Sequence, residues 1–139
     1  IIYGDGEQQR SFSDVEDCIY CIDKLATDPN IKNDIFNIGP GIDEAITINY
    51  LYELISNELQ FNQKPIYEKE RVNEVRHAIC ASEKSDERLN STERKKIGNT
   101  IKKMCDYVKS KGFKKFDYCY EIEIKKKGVT PDVWLKKII

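Results

Sequence analysis

Glycine and proline punctuate this chain at close intervals, and that punctuation restricts its fold more than any other feature. Gly4-Asp5-Gly6, Asp28-Pro29, Gly39-Pro40-Gly41 and Gly112 separate stretches whose patterns alternate between extended and helical. Glycine supplies the positive φ that tight turns require, and proline fixes φ and removes a backbone donor. Strands that alternate with helices give an α/β class. At 139 residues the chain is the size of one domain, large enough to bury about two thirds of its unfolded surface.

Between these breaks the elements follow from periodicity and capping. Ile1 to Tyr3 reads as the end of a strand, and Gln9 to Phe12 as a short extended piece. Ser13 and Glu16 form a capping-box pair ahead of a helix that closes at Asp28-Pro29. "DIFNIGPG" reads as a short strand closed by its turn. "AITI" is extended, and Thr47 caps "INYLYELISNEL", where Leu51, Leu54, Ile55 and Leu59 share a face. "KPIYEKE" is a strand, and "RVNEVRHAIC" is a loop entering another. Ser82 caps a short helix to about Leu89. A longer helix is expected from about Thr92 to Lys111, with Ile97, Ile101, Met104 and Val108 on one face and Gly112 as its stop. "FKKFDYCYEIEI" alternates as an extended segment does, and "TPDVWLKKII" reads as a closing helix with Pro131 in its first turn.

The net charge of -1 hides an asymmetry. Residues 1–92 hold 9 basic against 18 acidic side chains, and residues 93–139 hold 14 against 6. The later lysines lie between acids and lack interleaved aromatics, which describes a solvated helix face and not a nucleic-acid surface. No apolar run approaches the roughly 20 residues of a membrane helix. Ile1 opens without the basic and apolar regions of a signal peptide. Five cysteines without a secretory signal fit reduced thiols in a cytoplasmic protein. Cys18 and Cys21 form a C-x-x-C, but with Ile19, Ile22 and Leu25 they fall on one broad helical stripe, which predicts core packing.

No glycine-rich dinucleotide loop, Walker sequence, nucleophile elbow or metal-ligand cluster occurs. Tyr20…Lys24 and Tyr107…Lys111 match the Y-x-x-x-K spacing of a tyrosine base. Eight tyrosines among so many lysines produce such matches by chance, so an ordinary helix surface is the reading for both. The arginines set among turns are more informative. Arg10 follows the Gly-Asp-Gly turn, and Arg71, Glu74 and Arg76 lie together in "RVNEVRH". A guanidinium is a planar, permanently charged fork that matches phosphate oxygens, and a carboxylate three residues on can accept hydrogen bonds from a vicinal diol.

Order and spacing add a resemblance. "IIYGDGEQQRSFSDVEDC", "DIFNIGPG", "ITINYLYELI", "RVNEVRHAICASEKSDERL", "KKMCDYVKSKG" and "TPDVWLKKII" together resemble the C-terminal part of NAD-dependent nucleotide-sugar epimerases and dehydratases. These are extended short-chain dehydrogenase/reductases (SDRs), and the chain looks most like the UDP-glucose 4-epimerase type. The resemblance implies that residues 1–139 are the last part of a Rossmann sheet plus a small mixed α/β substrate-binding domain. It implies a longer, cytoplasmic, homodimeric parent whose N-terminal half carries NAD and the Tyr/Lys base pair. This chain alone is then expected to hold no cofactor, no metal and no catalytic residue. Its implied partner is a UDP-sugar or related nucleotide sugar, with no nucleic acid and no membrane. Arg10 and Arg71 resemble the two arginines that contact the diphosphate and are expected to point into one cleft. Glu74 resembles the acid on the ribose hydroxyls, and Tyr3 and Phe12 would line the nucleotide pocket.

The implied parent reaction is hydride transfer at sugar C4 and its return to the other face. Two departures stand out. Ser11 replaces the aspartate common in the family, which leaves a sugar-nucleotide decarboxylase or 4,6-dehydratase as the alternative reaction. "NSTERKK" replaces the usual Gly-aromatic turn and is expected to alter only the local turn. A non-catalytic interaction domain is the alternative of another class, and retention of Arg10, Arg71 and Glu74 together argues against it.

Overall fold

A computed structural model describes residues 1–113. The readings for Cys119, for "FKKFDYCYEIEI" and for "TPDVWLKKII" lie outside the described residues. In chain order the elements are β1 (Ile2–Tyr3), β2 (Gln9–Arg10), α1 (Val15–Thr27), β3 (Ile46–Thr47), α2 (Ile48–Leu59), β4 (Tyr67–Glu68), β5 (His77–Ala78), α3 (Glu83–Leu89) and α4 (Ile97–Lys111). A single 3-10 turn, Ile42–Glu44, precedes β3.

Two small sheets carry the backbone pairing. β1 runs parallel to β4, with Ile2 opposite Tyr67 and Tyr3 opposite Glu68. β2 is the centre of the other sheet. It pairs antiparallel with β3, Arg10 opposite Ile46, and parallel with β5, Gln9 opposite His77 and Arg10 opposite Ala78. Arg10 therefore sits on a strand bonded along both edges, and the segment that carries Arg71 and Glu74 leads directly into one of its neighbours. α2 packs on α4 and α1 on α3. Among the described residues, Ile2, Cys21, Leu89, Ile101 and Cys105 are the buried apolar side chains. Full burial of a leucine-sized side chain contributes about 1.5–3 kcal/mol.

The helix boundaries separate local from tertiary signals. Thr47 caps α2 as expected, its Oγ1 accepting the Tyr50 N–H at 3.1 Å. For α1 the cap is Asp14, not Ser13: one carboxylate oxygen accepts the Glu16 N–H at 2.9 Å, and the other accepts from Thr100 Oγ1 at 2.7 Å. A serine one residue earlier cannot tie α1 to α4 in this way. The apolar stripe of α1 is narrower than expected. Cys21 is buried, whereas Ile19 and Ile22 are 57% and 58% exposed. α4 starts at Ile97, five residues later than its pattern predicts, and buries Ile101 and Cys105 while Met104 and Val108 face solvent. Gly112, at φ +68, ends it with its N–H on the Val108 carbonyl.

Residues 34–41 are not a strand. Among the described residues they have no backbone ladder partner. Side chains of α3 satisfy two of their carbonyls instead: Lys84 Nζ donates to Ile35 O at 2.9 Å, and Ser85 Oγ donates to Asn37 O. A strand is a relation between two backbones, and apolar sequence alone does not provide the second one.

Candidate nucleotide-binding site

The site is assembled around the Gly-Asp-Gly turn. Gly4 and Gly6 hold φ of +74 and +77. A Cβ on Gly6 would lie 1.9 Å from Asn49 Oδ1, so the turn and the first turn of α2 are in direct contact. Asn49 Nδ2 donates to Asp5 O at 3.0 Å and to Glu7 Oε1 at 2.5 Å, and Asn49 Oδ1 accepts from the Tyr67 hydroxyl at 3.0 Å. Gln8 is buried and donates from Nε2 to Tyr3 O at 2.9 Å. The far side is held by Arg76, whose Nη1 donates to both carboxylate oxygens of Asp5 at 2.8 and 3.0 Å. Arg76 and the Glu7 N–H together hold the Asp5 carboxyl below the usual aspartate range, the backbone bond contributing most. Asn49, Gln8 and Asp5 were not legible as site residues, because their role is to hold the turn, and Arg76, noted beside Arg71 and Glu74, pairs with Asp5.

Four of the five expected site residues fall into two contacts, Arg10 with Glu74 and Arg71 with Tyr3. Arg10 Nη2 donates to Glu74 Oε1 at 2.5 Å, across 64 residues of sequence, and Arg10 Nη1 donates to Gln9 O at 2.7 Å. The pair is partly shielded, with 25% and 19% of the two side chains exposed. Glu74 closes a turn on Arg71, its N–H donating to Arg71 O at 3.2 Å, with Asn73 left-handed at φ +62. The Arg71 guanidinium lies over the Tyr3 ring, 4.1 Å from its centroid, a cation–π arrangement. The Tyr3 hydroxyl is buried and has no hydrogen-bond partner among the described residues. Glu74 thus bears on both arginines, on Arg10 through its carboxylate and on Arg71 through its backbone N–H.

Phe12 stands apart from this group. It lines a separate open cleft between the start of α1, residues 38–40, α3 and residues 91–95, a cleft that none of the other four residues lines. Arg94 holds this region together, donating to Pro40 O at 2.7 Å and to Ser82 Oγ at 3.0 Å and pairing with Asp86. The "NSTERKK" departure therefore reaches beyond its own turn: it fastens the Gly39-Pro40-Gly41 turn to α3. It also draws the Ser82 hydroxyl away from capping α3. Ser11 is engaged as well, its hydroxyl accepting the Cys80 N–H at 3.2 Å beside β5. A serine at this position thus has a structural use, independent of reaction type.

The remaining candidates behave as packing. Burial pushes the Cys18 thiol up, so it is no activated nucleophile, and Cys21 is buried beside it in α1. Lys24 lies over the Tyr20 ring at 5.5 Å and Lys111 over the Tyr107 ring at 5.3 Å, each along one helix surface. Among the described residues no cluster of three or more His, Cys, Asp or Glu could hold a metal ion. No described helix is long and apolar enough to cross a membrane.

No family model matches the chain. Over 110 residues, 79% of the chain, it is 34% identical to a provisionally named UDP-glucose 4-epimerase of Methanocaldococcus jannaschii. Its fold matches a UDP-glucose 4-epimerase of Thermotoga maritima, solved with UDP-glucose, at a TM-score of 0.70 and 26% identity over 79% of the chain. A UDP-N-acetylglucosamine 4-epimerase of Methanobrevibacter ruminantium, in complex with UDP-N-acetylmuramic acid, matches at 0.69 and 26% over 80%. The chain spans about a third of the length of each relative: 34%, 35% and 34%. In sequence and in fold alike, this α/β chain corresponds to part of an extended short-chain dehydrogenase/reductase of the nucleotide-sugar epimerase/dehydratase family, most like UDP-glucose 4-epimerase.

Proposed function

We propose that this chain is the nucleotide-sugar-binding portion of an NAD-dependent UDP-hexose 4-epimerase and is inactive by itself. The Arg10–Glu74 contact carries the reading. It joins two motifs far apart in sequence, and the Glu74 N–H bonds the Arg71 carbonyl. In this reading Arg10 and Arg71 hold the diphosphate, Glu74 accepts the ribose hydroxyls, and the Tyr3 ring supports Arg71. Phe12 is assigned to the wall of the neighbouring cleft. An arginine fork matches the oxygens of a diphosphate, which is the chemistry this reading assigns to both cations. Binding through groups remote from the reacting carbon anchors the nucleotide while leaving the hexose free to turn.

Cofactor binding is assigned to the rest of a cytoplasmic, homodimeric parent. This sequence has no Gly-x-Gly-x-x-Gly loop, and no step of the chemistry is assigned to its residues. The choice of epimerisation over dehydration or decarboxylation is supported by the three relatives described above and by the structural use of Ser11. The test is calorimetry on the purified chain. UDP binding is expected, and Arg71→Ala should weaken it about ten- to a hundredfold, as loss of a charge-assisted hydrogen bond predicts. Absence of UDP binding, or saturable NAD binding at micromolar concentration, would overturn the assignment.

A further inference from the structure

Arg10 and Glu74, the two groups assigned above to different parts of one ligand, are bonded to each other. An anion that takes the Arg10 Nη2 donor must first separate them, leaving Glu74 a partly shielded carboxylate with a lost partner. We infer that Glu74 is a specificity-determining residue: it makes the site reject bare phosphates and accept nucleoside diphosphates. The inference rests on the proposed nucleotide-binding reading.

The physical reason lies in what each ligand returns. Inorganic pyrophosphate offers oxygens to Arg10 and nothing to Glu74, so it trades one charge-assisted bond for another and strands a carboxylate. A nucleoside diphosphate brings the same oxygens together with a ribose diol, whose two hydroxyls donate to the carboxylate just released. Selectivity is a difference between two affinities, and an internal competitor lowers only the one that gives it no compensation. Geometry favours the exchange. Glu74 is fixed through its own backbone to Arg71, so the carboxylate stays at the site when Arg10 leaves. Arg71 rests on the Tyr3 ring and has no carboxylate partner among the described residues, so it is free to meet the anion first. The pair is neither fully exposed, where it would be screened into insignificance, nor sealed from ligand.

The experiment compares inorganic pyrophosphate with UDP, each titrated without divalent metal into the wild-type chain, into Glu74→Gln and into Glu74→Gln/Arg10→Gln. Glutamine keeps the shape and removes the charge. Glu74→Gln should bind pyrophosphate about three- to tenfold more tightly, the range set by a partly exposed ion pair. UDP affinity should change little or fall, so the preference for UDP collapses. Adding Arg10→Gln should abolish the pyrophosphate gain, which a general loosening of the fold would leave in place. Pyrophosphate affinity that is unchanged or weaker in Glu74→Gln, with UDP still bound by the wild type, overturns the selectivity inference alone. Failure of the wild type to bind UDP overturns the nucleotide-binding reading and the selectivity with it.

Discussion

Substitution of Gly6 by alanine gives the sharpest test of how the turn is held. Two penalties arise at once. Gly6 has φ +77, and an L-residue in that region costs about 1–2 kcal/mol. The new Cβ would also lie 1.9 Å from Asn49 Oδ1 and 2.5 Å from its Cγ, so Asn49 must leave. Its bonds to Asp5 O and Glu7 Oε1 and from the Tyr67 hydroxyl leave with it. These are exposed bonds, together contributing about 1–2 kcal/mol. Gly6→Ala should then destabilise the chain by about 2–4 kcal/mol, a midpoint shift of about 6–15 °C for a chain of this size. Thermal melts followed by circular dichroism read the shift directly. The decisive comparison includes Asn49→Ala, which alone should cost about 1–2 kcal/mol by the same bonds. In the double variant the Cβ has room and the bonds are already gone, so the two effects should fall short of additive by at least about 1 kcal/mol. Additivity within about 0.5 kcal/mol would show that Asn49 is not what Gly6 makes room for, and the account of the turn would fail.

Asp14→Ala removes the α1 cap and strands the Thr100 hydroxyl, and should destabilise by about 2–3 kcal/mol in urea melts. The Asp14 carboxyl is held below the usual 3.8, first by the Thr100 hydroxyl and then by the Glu16 N–H. A depressed folded pKa stabilises fully above 3.8 and loses its effect as pH falls through that value towards the folded one. Asp14→Asn should therefore flatten the acid limb of stability against pH below about pH 5, and an unchanged limb refutes the assignment. Arg94→Met, which releases the Pro40 carbonyl and Ser82 and leaves Asp86 without its partner, should cost about 1–3 kcal/mol. Hydrogen exchange should then speed up at residues 39–41 and at the start of α3, while the Arg10–Glu74 region stays protected.

Motif-level features of the site were legible because they are local. A glycine turn, an arginine two residues before an aromatic, and Arg71 spaced three from Glu74 are properties of short strings, and so is the Thr47 cap of α2. What the string does not contain is the partner each group finds. Arg10 was expected to await a phosphate, and it rests on Glu74, 64 residues away. Ser13 and Glu16 satisfied the capping-box pattern, yet Asp14 took the cap because a hydroxyl on α4 was within its reach. The α4 pattern extended back to Thr92, but Arg94 and Lys95 are held outside the helix. Lys95 pairs with Glu16, and its N–H donates to Asp17 Oδ2 at 3.0 Å. For the starts of α1 and α4 the local preference is worth about 1 kcal/mol, and tertiary partners decide between near-equal local choices.

The same argument explains why Arg10 and Phe12 part company although one residue separates them. β2 ends at Arg10, where both strand edges are bonded and the side chain is committed to the side that Glu74 approaches. Ser11 still belongs to that sheet through its N–H on Ala78 O and its hydroxyl under Cys80. By Asp14 the chain belongs to α1 and α4. Phe12 and Ser13 are the crossing between those two loyalties, and Phe12 turns with the helix into the cleft beside Ile38 and Pro40. A motif that reads as one unit in sequence is thus divided by the fold. Its arginine serves the β1–β2 end of the molecule, its serine fastens β2 to β5, and its aromatic lines the cleft between α1 and the Gly39-Pro40-Gly41 turn. Replacing Phe12 should accordingly disturb that cleft before it disturbs the Arg10–Glu74 pair.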